Sequence, residues 1–330
     1  MKAAKLALEE YGFGAGASRL ISGTMSPHTR LEEDIASFKG CEAAILFNSG
    51  YCANIGLIST ITKKGDIIFS DKLNHASILD AALLSRAKVK RYAHKDTTAL
   101  ESYLKDAGDF DKRVIVTDGV FSMDGDIAPL KELLRLAEKY DAMLIVDDAH
   151  ATGVLGEGGS GTISHLGIKS DRIIQMGTLS KALGCFGAFV AGNRDVIEYL
   201  INKARSFIYT TALPPSSAAA AIEAVKIAKR GDKLREKLFN NVEYIRTKLI
   251  SAGFEVQNSE SHIIPLMIGD VDRAVALSRH LFENGIFIQA IRPPTVPQNT
   301  CRLRITPTAL HTKAELDLAF ENIVEFKEHS

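Results

Sequence analysis

The sequence predicts an α/β fold, with a large domain on a mostly parallel seven-stranded sheet and a smaller C-terminal α+β domain. Between residues 43 and 192, short runs of apolar and β-branched residues alternate with helical patterns. Continuously apolar strands are typical of sheets covered on both faces, and helices supply the crossovers that parallel strands need. From Pro214 onward the pattern changes to two long helical stretches, followed by strands and helices in alternation.

Each element follows from a local pattern. The apolar runs that predict the seven strands of the large domain are 43–47, 67–70, 89–92, 114–117, 143–147, 173–176 and 188–191. Pro214 and Pro215 can open a helix that continues over 218–229, because proline is tolerated in the first helical turn. Further helices are expected at 232–251, 271–284 and 312–327, and further strands at 263–268, 286–290 and 301–305. The predicted domains are an N-terminal segment over 1–26, a large domain over 27–213 and a small domain over 214–330.

The charge balance and composition exclude several classes of function. Over 330 residues, 40 basic and 40 acidic side chains give a net charge of zero, without the basic excess that drives binding to nucleic acid. No apolar stretch has the length of a membrane helix, and the first residues lack the apolar core of a signal peptide. We therefore expect a cytoplasmic protein whose partner is a small molecule or a protein. Cys41, Cys52, Cys185 and Cys301 form no C-x-x-C pair, which predicts free thiols and no metal site.

One glycine-rich segment imitates a dinucleotide-binding motif. Residues 156–161 read GEGGSG, but the G-x-G-x-x-G motif functions only between the end of a strand and the start of a helix. This segment does not directly follow the strand that ends at Asp147, and no convincing amphipathic helix begins after it. We interpret it as a mobile loop.

Charged side chains follow two of the predicted strands. Asp147, Asp148 and His150 come at the end of the fifth strand, and Lys181 follows the sixth. Ligands of open α/β folds bind at the carboxyl edge of the parallel strands, so these side chains are candidates for one site. A lone lysine after a strand is commonly a solvated surface charge. The apolar and glycine-rich residues that follow Lys181 instead predict a partly desolvated amine with a lowered pKa, as a Schiff-base lysine requires.

A possible anion site lies nearer the start of the chain. Ser49, Gly50 and Tyr51 stand between the first strand and a helical pattern over 51–62. Free amides at the start of a helix, together with the helix dipole, can hold a phosphate. An ordinary turn is the alternative interpretation.

These residues belong to a longer series of motifs in a fixed order. The motifs are GAGASR at 14–19, LE at 31–32, NSGY at 48–51, NHAS at 74–77, DGVFSMDG at 118–125, DDAH at 147–150, TLSKA at 178–182 and RPPTVP at 292–297. The series resembles the α-oxoamine synthases, a group of enzymes that use pyridoxal 5′-phosphate (PLP) and belong to the fold type I aminotransferase superfamily. The resemblance covers essentially the whole chain.

The resemblance implies a catalytic role for four residues. Lys181 is expected to bind PLP covalently and then to move a proton at the substrate Cα, and Asp147 to keep the pyridine nitrogen protonated. His150 is expected near the phenolic oxygen of the cofactor, and His75 stacked on its ring. Asp148 is expected to serve structure or to support the residues that contact the cofactor.

Further contacts with cofactor and substrate are implied in the same way. The additional cofactor residues are Ser49, Gly50, Tyr51, Ser122, Thr178, Thr210 and Thr211, of which the Thr210–Thr211 segment is expected to reach the site of a partner subunit in a homodimer. For the substrate, Arg304 is expected to bind the amino-acid carboxylate, with Arg302 as the alternative, and Arg19, His75 and Thr295 are expected nearby.

The resemblance also implies the reaction, in which an amino acid joins an acyl thioester carried by coenzyme A or by acyl carrier protein. The motifs at 292–297 and 302–306 are most similar to the branch that condenses L-alanine with a pimeloyl thioester, with loss of carbon dioxide, in biotin synthesis. Glycine C-acetyltransferase is the first alternative, followed by 5-aminolevulinate synthase and serine palmitoyltransferase. A non-catalytic partner subunit is a further hypothesis, against which Lys181 speaks. Family members have a longer N-terminal segment, so we expect that part of the family pattern to be missing here.

Overall fold

The computed structural model describes residues 1–328 as two compact units. The large unit consists of Met1–Val120 and Ala128–Arg230. The small unit consists of Phe121–Ile127 and of the chain from Gly231 onward. Among these residues no helix has both the length and the apolar character needed to cross a membrane.

The large unit is built on one seven-stranded sheet. Its strands are β1 (Ala43–Phe47), β2 (Ile67–Asp71), β3 (Lys88–Tyr92), β4 (Arg113–Asp118), β5 (Met143–Asp147), β6 (Ile173–Thr178) and β7 (Ala188–Gly192). They lie in the order β1-β7-β6-β5-β4-β2-β3. Only β7 runs antiparallel, to both β1 and β6, and the other neighbours pair in parallel. The predicted mostly parallel sheet is therefore confirmed.

Helices cover both faces of this sheet. They are α1 (Lys2–Tyr11), α2 (Ser26–Lys39), α3 (Gly50–Ile61), α4 (Ala76–Ser85), α5 (Thr97–Lys105), α6 (Leu130–Lys139), α7 (Thr162–His165), α8 (Arg194–Lys203), α9 (Arg205–Ile208) and α10 (Pro215–Lys229). Successive residues of a strand point to opposite faces, and β1 shows the result. Ile45 joins the core that contains Leu57 of α3, whereas Leu46 joins the core that contains Leu31 of α2. Both faces are buried, which explains the continuously apolar strands.

The large unit ends later than the sequence predicted. Helix α10 presents Ala218, Ala221 and Val225 to the core that also contains residues of α2, so its apolar face is buried within the large unit. The division therefore falls at Gly231 and not at Pro214, and the predicted N-terminal segment belongs to the large unit as well. The residues 121–127 had no signal in the sequence that would assign them to the small unit.

The small unit is an antiparallel three-stranded sheet with three helices. The strands are β8 (Ile264–Gly269), β9 (Gln289–Ile291) and β10 (Cys301–Ile305), in the order β8-β10-β9, and the helices are α11 (Asp232–Ser251), α12 (Val271–Glu283) and α13 (Lys313–Glu328). Strand β9 begins later than predicted, because the amides of Gly285 and Ile286 bond to carbonyls of α12 and close that helix. All four cysteines are free thiols, as predicted.

A buried ion pair fixes the glycine-rich segment 156–161. The ammonium of Lys39, at the end of α2, lies 2.6 Å from Asp148 Oδ2, and both side chains are fully buried. The same ammonium donates to the carbonyl of Ser160, and Thr162 donates to Asp148 through its amide and its hydroxyl. A Cβ at Gly161 would stand 1.7 Å from Asp148 Oδ2. The segment therefore packs on an internal ion pair, and Asp148 serves structure.

Loss of Lys39 should destabilise the fold far more than loss of an exposed lysine. In Lys39→Met the carboxylate of Asp148 stays buried without its cation, so we expect the free energy of unfolding to fall by about 3–5 kcal/mol. The matched control is Lys226→Met, which breaks an exposed pair with Glu223 and should change it by no more than about 0.5 kcal/mol. Urea unfolding followed by circular dichroism measures both values. Equal effects of the two variants would contradict this interpretation of the ion pair.

Candidate active site

The sheet register gathers the predicted site residues at one edge. In the register of β1, β7 and β6, Phe47 pairs with Ala188, and Ala188 pairs with Thr178. The residues after β1 and those after β6 therefore leave the sheet side by side. On the other side of β6, Asp147 pairs with Met176 and also with Asp118 of β4.

The start of helix α3 offers an anion site at this edge. Ser49 is the N-cap, and its hydroxyl oxygen accepts the amide of Cys52 at 3.2 Å. The first backbone bond of the helix runs from the amide of Ala53 to the carbonyl of Ser49, so the amides of Gly50 and Tyr51 precede the helical ladder. A Cβ at Gly50 would be 3.8 Å from the Met176 side chain, which places the helix start beside β6.

The threonines predicted to contact the cofactor have partners within the chain. Thr178 is buried and donates its hydroxyl to the carbonyl of Gly187 at 3.0 Å. Ser180 Oγ lies 2.6 Å from the same Thr178 hydroxyl. Asn48 donates to Thr210 Oγ1 at 3.1 Å and to the Thr211 carbonyl at 2.9 Å. The Thr210–Thr211 segment thus lies next to the residue that precedes Ser49.

Asp147 is held by a set of donors below this edge. Its Oδ2 accepts Asn54 Nδ2 at 2.8 Å, and its Oδ1 accepts the amide of Ala149 at 3.1 Å. Burial raises the pKa of Asp147, whereas these two bonds and the charge of Lys181 lower it. The same donors can hold its carboxylate charged.

Asp118 is a site residue that the sequence did not single out. It is buried beside Asp147, its Oδ2 accepts the amide of His75 at 3.2 Å, and its Oδ1 has no hydrogen-bond partner among the described residues. Burial and the negative charge of Asp147 raise the pKa of Asp118 well above its ordinary range. Of this carboxyl pair, Asp118 therefore keeps the proton. Its position at a strand end, within the motif at 118–125, was the only signal that could have found it.

His75 and Lys181 both face outward at this edge. His75 is exposed and forms the N-cap of α4, since its Nδ1 accepts the amide of Ser77. Lys181 acts electrostatically on both Asp118 and Asp147. Lys181 is itself exposed, and so is Phe186, which follows it in the sequence. The prediction that the flanking residues desolvate the amine is therefore wrong for the single chain. His150 is half-buried, in the turn that follows Asp147.

Arg19, which the resemblance places near the substrate, has partners within the chain. Both terminal nitrogens of Arg19 donate to the carboxylate of Glu32 at 2.9 Å, and its Nε donates to Thr24 Oγ1. The guanidinium also lies over the ring of Phe207. Because its charge is neutralised in a bidentate pair, we leave Arg19 out of the proposed substrate site.

The two candidate arginines of the small unit differ in their partners. Arg302 is buried and forms an ion pair with Asp124, and its Nε donates to the carbonyl of Thr300. Arg304 donates only its Nε, to the carbonyl of Ser122 at 2.6 Å, and its terminal nitrogens have no hydrogen bond within the part of the chain described. This difference favours Arg304 as the anion ligand. Thr295 lies in an exposed turn.

The comparisons with known proteins agree with this architecture. A family model for class I and II aminotransferases matches residues 1–323. The chain therefore belongs to the class I and II aminotransferase family, and within it to the α-oxoamine synthases. It is 55% identical to the 8-amino-7-oxononanoate synthase of Citrifermentans bemidjiense over 311 residues, which are 94% of this chain and 80% of that protein.

Two solved structures support the same assignment. The 8-amino-7-oxononanoate synthase of Francisella tularensis superposes with a TM-score of 0.85 at 33% identity, over 99% of this chain and 92% of the other. A serine palmitoyltransferase variant from S. paucimobilis with a bound PLP–myriocin aldimine superposes with a TM-score of 0.95 at 33% identity, over 99% of this chain and 83% of the other. The predicted fold type is confirmed.

Replacement of Asp118 by asparagine should stabilise the cofactor-free protein increasingly as the pH rises. In the unfolded chain this carboxyl loses its proton near 3.8, whereas the folded protein retains it well above that pH. The wild type therefore loses about 1.4 kcal/mol for each pH unit between the two values, and an amide does not. Below both values the two proteins should not differ on this account. Thermal unfolding at pH 5 and pH 8 measures the gain.

The control for this prediction is an exposed carboxylate of the same unit. Asp109→Asn should give the same unfolding temperature as the wild type at both pH values, apart from a small constant offset. A gain for Asp118→Asn that shrinks between pH 5 and pH 8 would contradict the assignment of the proton to Asp118.

Proposed function

We propose that the chain catalyses the PLP-dependent condensation of L-alanine with a pimeloyl thioester, carried by coenzyme A or by acyl carrier protein, to give 8-amino-7-oxononanoate and carbon dioxide. The observation that carries this proposal is the 55% identity to an 8-amino-7-oxononanoate synthase along almost the whole chain. We infer the cytoplasm as the site of the reaction.

The residues at the sheet edge fit PLP. An anionic phosphate suits the amides of Gly50 and Tyr51 and the hydroxyl of Ser49. The buried carboxylate of Asp147 suits a protonated ring nitrogen, since burial raises the pKa of this carboxyl and a cation beside it would stabilise its charged form. Lys181 supplies the amine for a covalent bond to the aldehyde. PLP contributes an electron sink for the negative charge that develops at the substrate Cα.

The residues of this chain have distinct tasks in the proposed reaction. Lys181 would move the proton at the substrate Cα through its amine. Asp147 holds a proton on the ring nitrogen, and the donors Asn54 and Ala149 keep that carboxylate charged. His75 would cover one side of the cofactor ring, and His150 would orient its phenolic oxygen. Ser122, Thr178 and the Thr210–Thr211 segment are kept as proposed cofactor contacts.

Substrate binding is assigned to Arg304. A guanidinium with two free terminal nitrogens can form a bidentate pair with the amino-acid carboxylate. Burial lowers the pKa of Arg304, and no carboxylate of the described residues forms an ion pair with it. Arg302 is already paired with Asp124. Thr295 remains a proposed contact of the substrate.

We further propose a homodimer. Large apolar side chains stand exposed on the large unit, among them Ile21 at 81% and Tyr209 at 72%. The backbone bridge between Ser18 and Thr211 holds their two segments together. A second copy of the chain is the partner that the family resemblance implies for this surface.

Turnover with defined substrates tests the proposed function. Thiol release is measured with alanine, glycine and serine against pimeloyl, acetyl, succinyl and palmitoyl thioesters of coenzyme A. Alanine with the pimeloyl thioester should give the highest kcat/KM, at least about tenfold above glycine, because one methyl group in an apolar pocket discriminates by that much. Faster turnover of glycine with the acetyl thioester would replace this proposal by glycine C-acetyltransferase.

Lys181→Ala is the matching variant for the catalytic role. It should lose the visible absorbance that PLP gains on bonding to a lysine and that borohydride removes, and kcat should fall about a thousandfold or more. Lys169→Ala, at an exposed position of the same unit, should keep both. A wild-type protein that shows no such absorbance after incubation with PLP would support a non-catalytic subunit.

Arg304→Lys should raise the KM for alanine about tenfold or more and leave the affinity for PLP unchanged, because lysine cannot form the bidentate pair. Arg302→Lys should instead lower the unfolding temperature, because it disturbs the buried pair with Asp124. Steady-state kinetics and thermal unfolding of both variants separate these effects. A larger KM for Arg302→Lys than for Arg304→Lys, in stable protein, would exchange the two assignments.

A further inference from the structure

A chain of short contacts connects Asp147 with His75. Asn54, fully buried in α3, places Nδ2 2.8 Å from Asp147 Oδ2 and 2.8 Å from Ser77 Oγ. Ser77, buried at the start of α4, places its Oγ 2.8 Å from His75 Nδ1. The sequence analysis assigned no function to Asn54 or Ser77.

The direction of each hydrogen bond in this chain can be deduced. The backbone amide of Ser77 can only donate, and it lies 3.3 Å from His75 Nδ1, so Nδ1 is an acceptor. The Ser77 hydroxyl must then donate to Nδ1 as well, because an unprotonated ring nitrogen has no hydrogen to give. The hydroxyl oxygen remains as the acceptor for one hydrogen of Asn54 Nδ2. The other hydrogen of that amide goes to the carboxylate of Asp147.

The amide of Asn54 is fixed by its surroundings. With the amide reversed, its oxygen would face the carboxylate of Asp147, acceptor against acceptor. In the observed orientation Oδ1 is buried with no hydrogen-bond partner among the described residues, which costs stability. Asn54 therefore uses both hydrogens of its amide as donors, while its oxygen accepts none from the described residues. This indicates that the two donors are what the position requires.

We propose that Asn54 and Ser77 are positioning residues that hold His75 as the neutral tautomer with its proton on Nε2 and tie that tautomer to the ionised carboxylate of Asp147. The ring of His75 is exposed, so its Nε2–H is available as a hydrogen-bond donor. In the proposed condensation this Nε2–H would donate a hydrogen bond to an oxygen of the substrate. Only this consequence rests on the proposed function. The same chain of bonds fixes Asp147 for the ring nitrogen.

The tautomer can be measured directly in the PLP-loaded protein. After ¹⁵N labelling of histidine, a long-range ¹H–¹⁵N correlation spectrum near neutral pH distinguishes the protonated ring nitrogen from the unprotonated one, and His75→Asn identifies the signals. In the wild type we expect one tautomer, with Nδ1 unprotonated and Nε2 protonated. A His75 ring that carries its proton mainly on Nδ1, or on both nitrogens, would overturn the proposal.

Two variants test the two ends of this chain of hydrogen bonds separately. Ser77→Ala should shift the His75 nitrogen signals and make the Nδ1–H tautomer detectable, while the dissociation constant of PLP stays unchanged. Asn54→Leu should shift the same signals and also raise that dissociation constant about tenfold, because Asp147 loses a hydrogen bond to its charge. Unchanged His75 signals in both variants would overturn the proposal, and Ser77→Ala alone decides it if Asn54→Leu does not fold.

The control variant is Ser59→Ala on the same helix as Asn54. The Ser59 hydroxyl donates to the carbonyl of Ile55, so it should leave the His75 signals and the affinity for PLP as in the wild type. The measurement needs neither alanine nor a thioester. If the proposed condensation fails while His75 shows the expected tautomer, the function is refuted and the inference stands.

Discussion

The site depends on two carboxyl groups that the sheet forces together. Asp118 and Asp147 are paired in the parallel register of β4 and β5, and both are buried. Two neighbouring buried carboxylates cannot both be charged without compensation, because burial and mutual repulsion both disfavour the charged form. The surrounding residues solve this problem unequally. Asp147 receives two donors, whereas Asp118 receives one and keeps its proton.

Because the two carboxyl groups differ in charge, this edge of the sheet attracts different chemical groups at different positions. A charged Asp147 attracts a cation or a protonated ring, and the ammonium of Lys181 acts on both carboxyl groups. The start of α3, beside β6, attracts an anion. A molecule with a protonated ring nitrogen and a phosphate matches these two positions, with the ring nitrogen at Asp147 and the phosphate at the start of α3. The architecture therefore selects the cofactor class before any residue touches a substrate.

The sequence predicted the elements well where a single physical cause determines them. Strands β1, β5 and β10 have their predicted ends, because continuous apolar runs and flanking polar residues mark buried strands. Strand β9 was placed too early, because the apolar Ile286 closes α12 with its amide and the apolar Phe287 that follows is exposed at 77%. The boundary at Pro214 was misplaced for a related reason. Proline marks the start of α10, but only packing shows which core the helix joins.

Prediction of the site reached the residues at strand ends and missed those whose role is a contact. Lys181, Asp147 and His75 stand in recognisable motifs. Asn54 is a polar residue within a helical pattern, and Ser77 stands in the motif at 74–77 but had no assigned role, and nothing in the sequence shows that the two meet. For Arg19 the motif matches, but it does not show the pairing of the guanidinium with Glu32, 13 residues later. The apolar residues after Lys181 led to a wrong prediction of desolvation, because an apolar neighbour desolvates an amine only if its side chain turns toward it. Phe186 turns outward. Side-chain direction and pairing across the fold are thus the information that a linear pattern cannot carry, and they decide which charged residues remain available for chemistry.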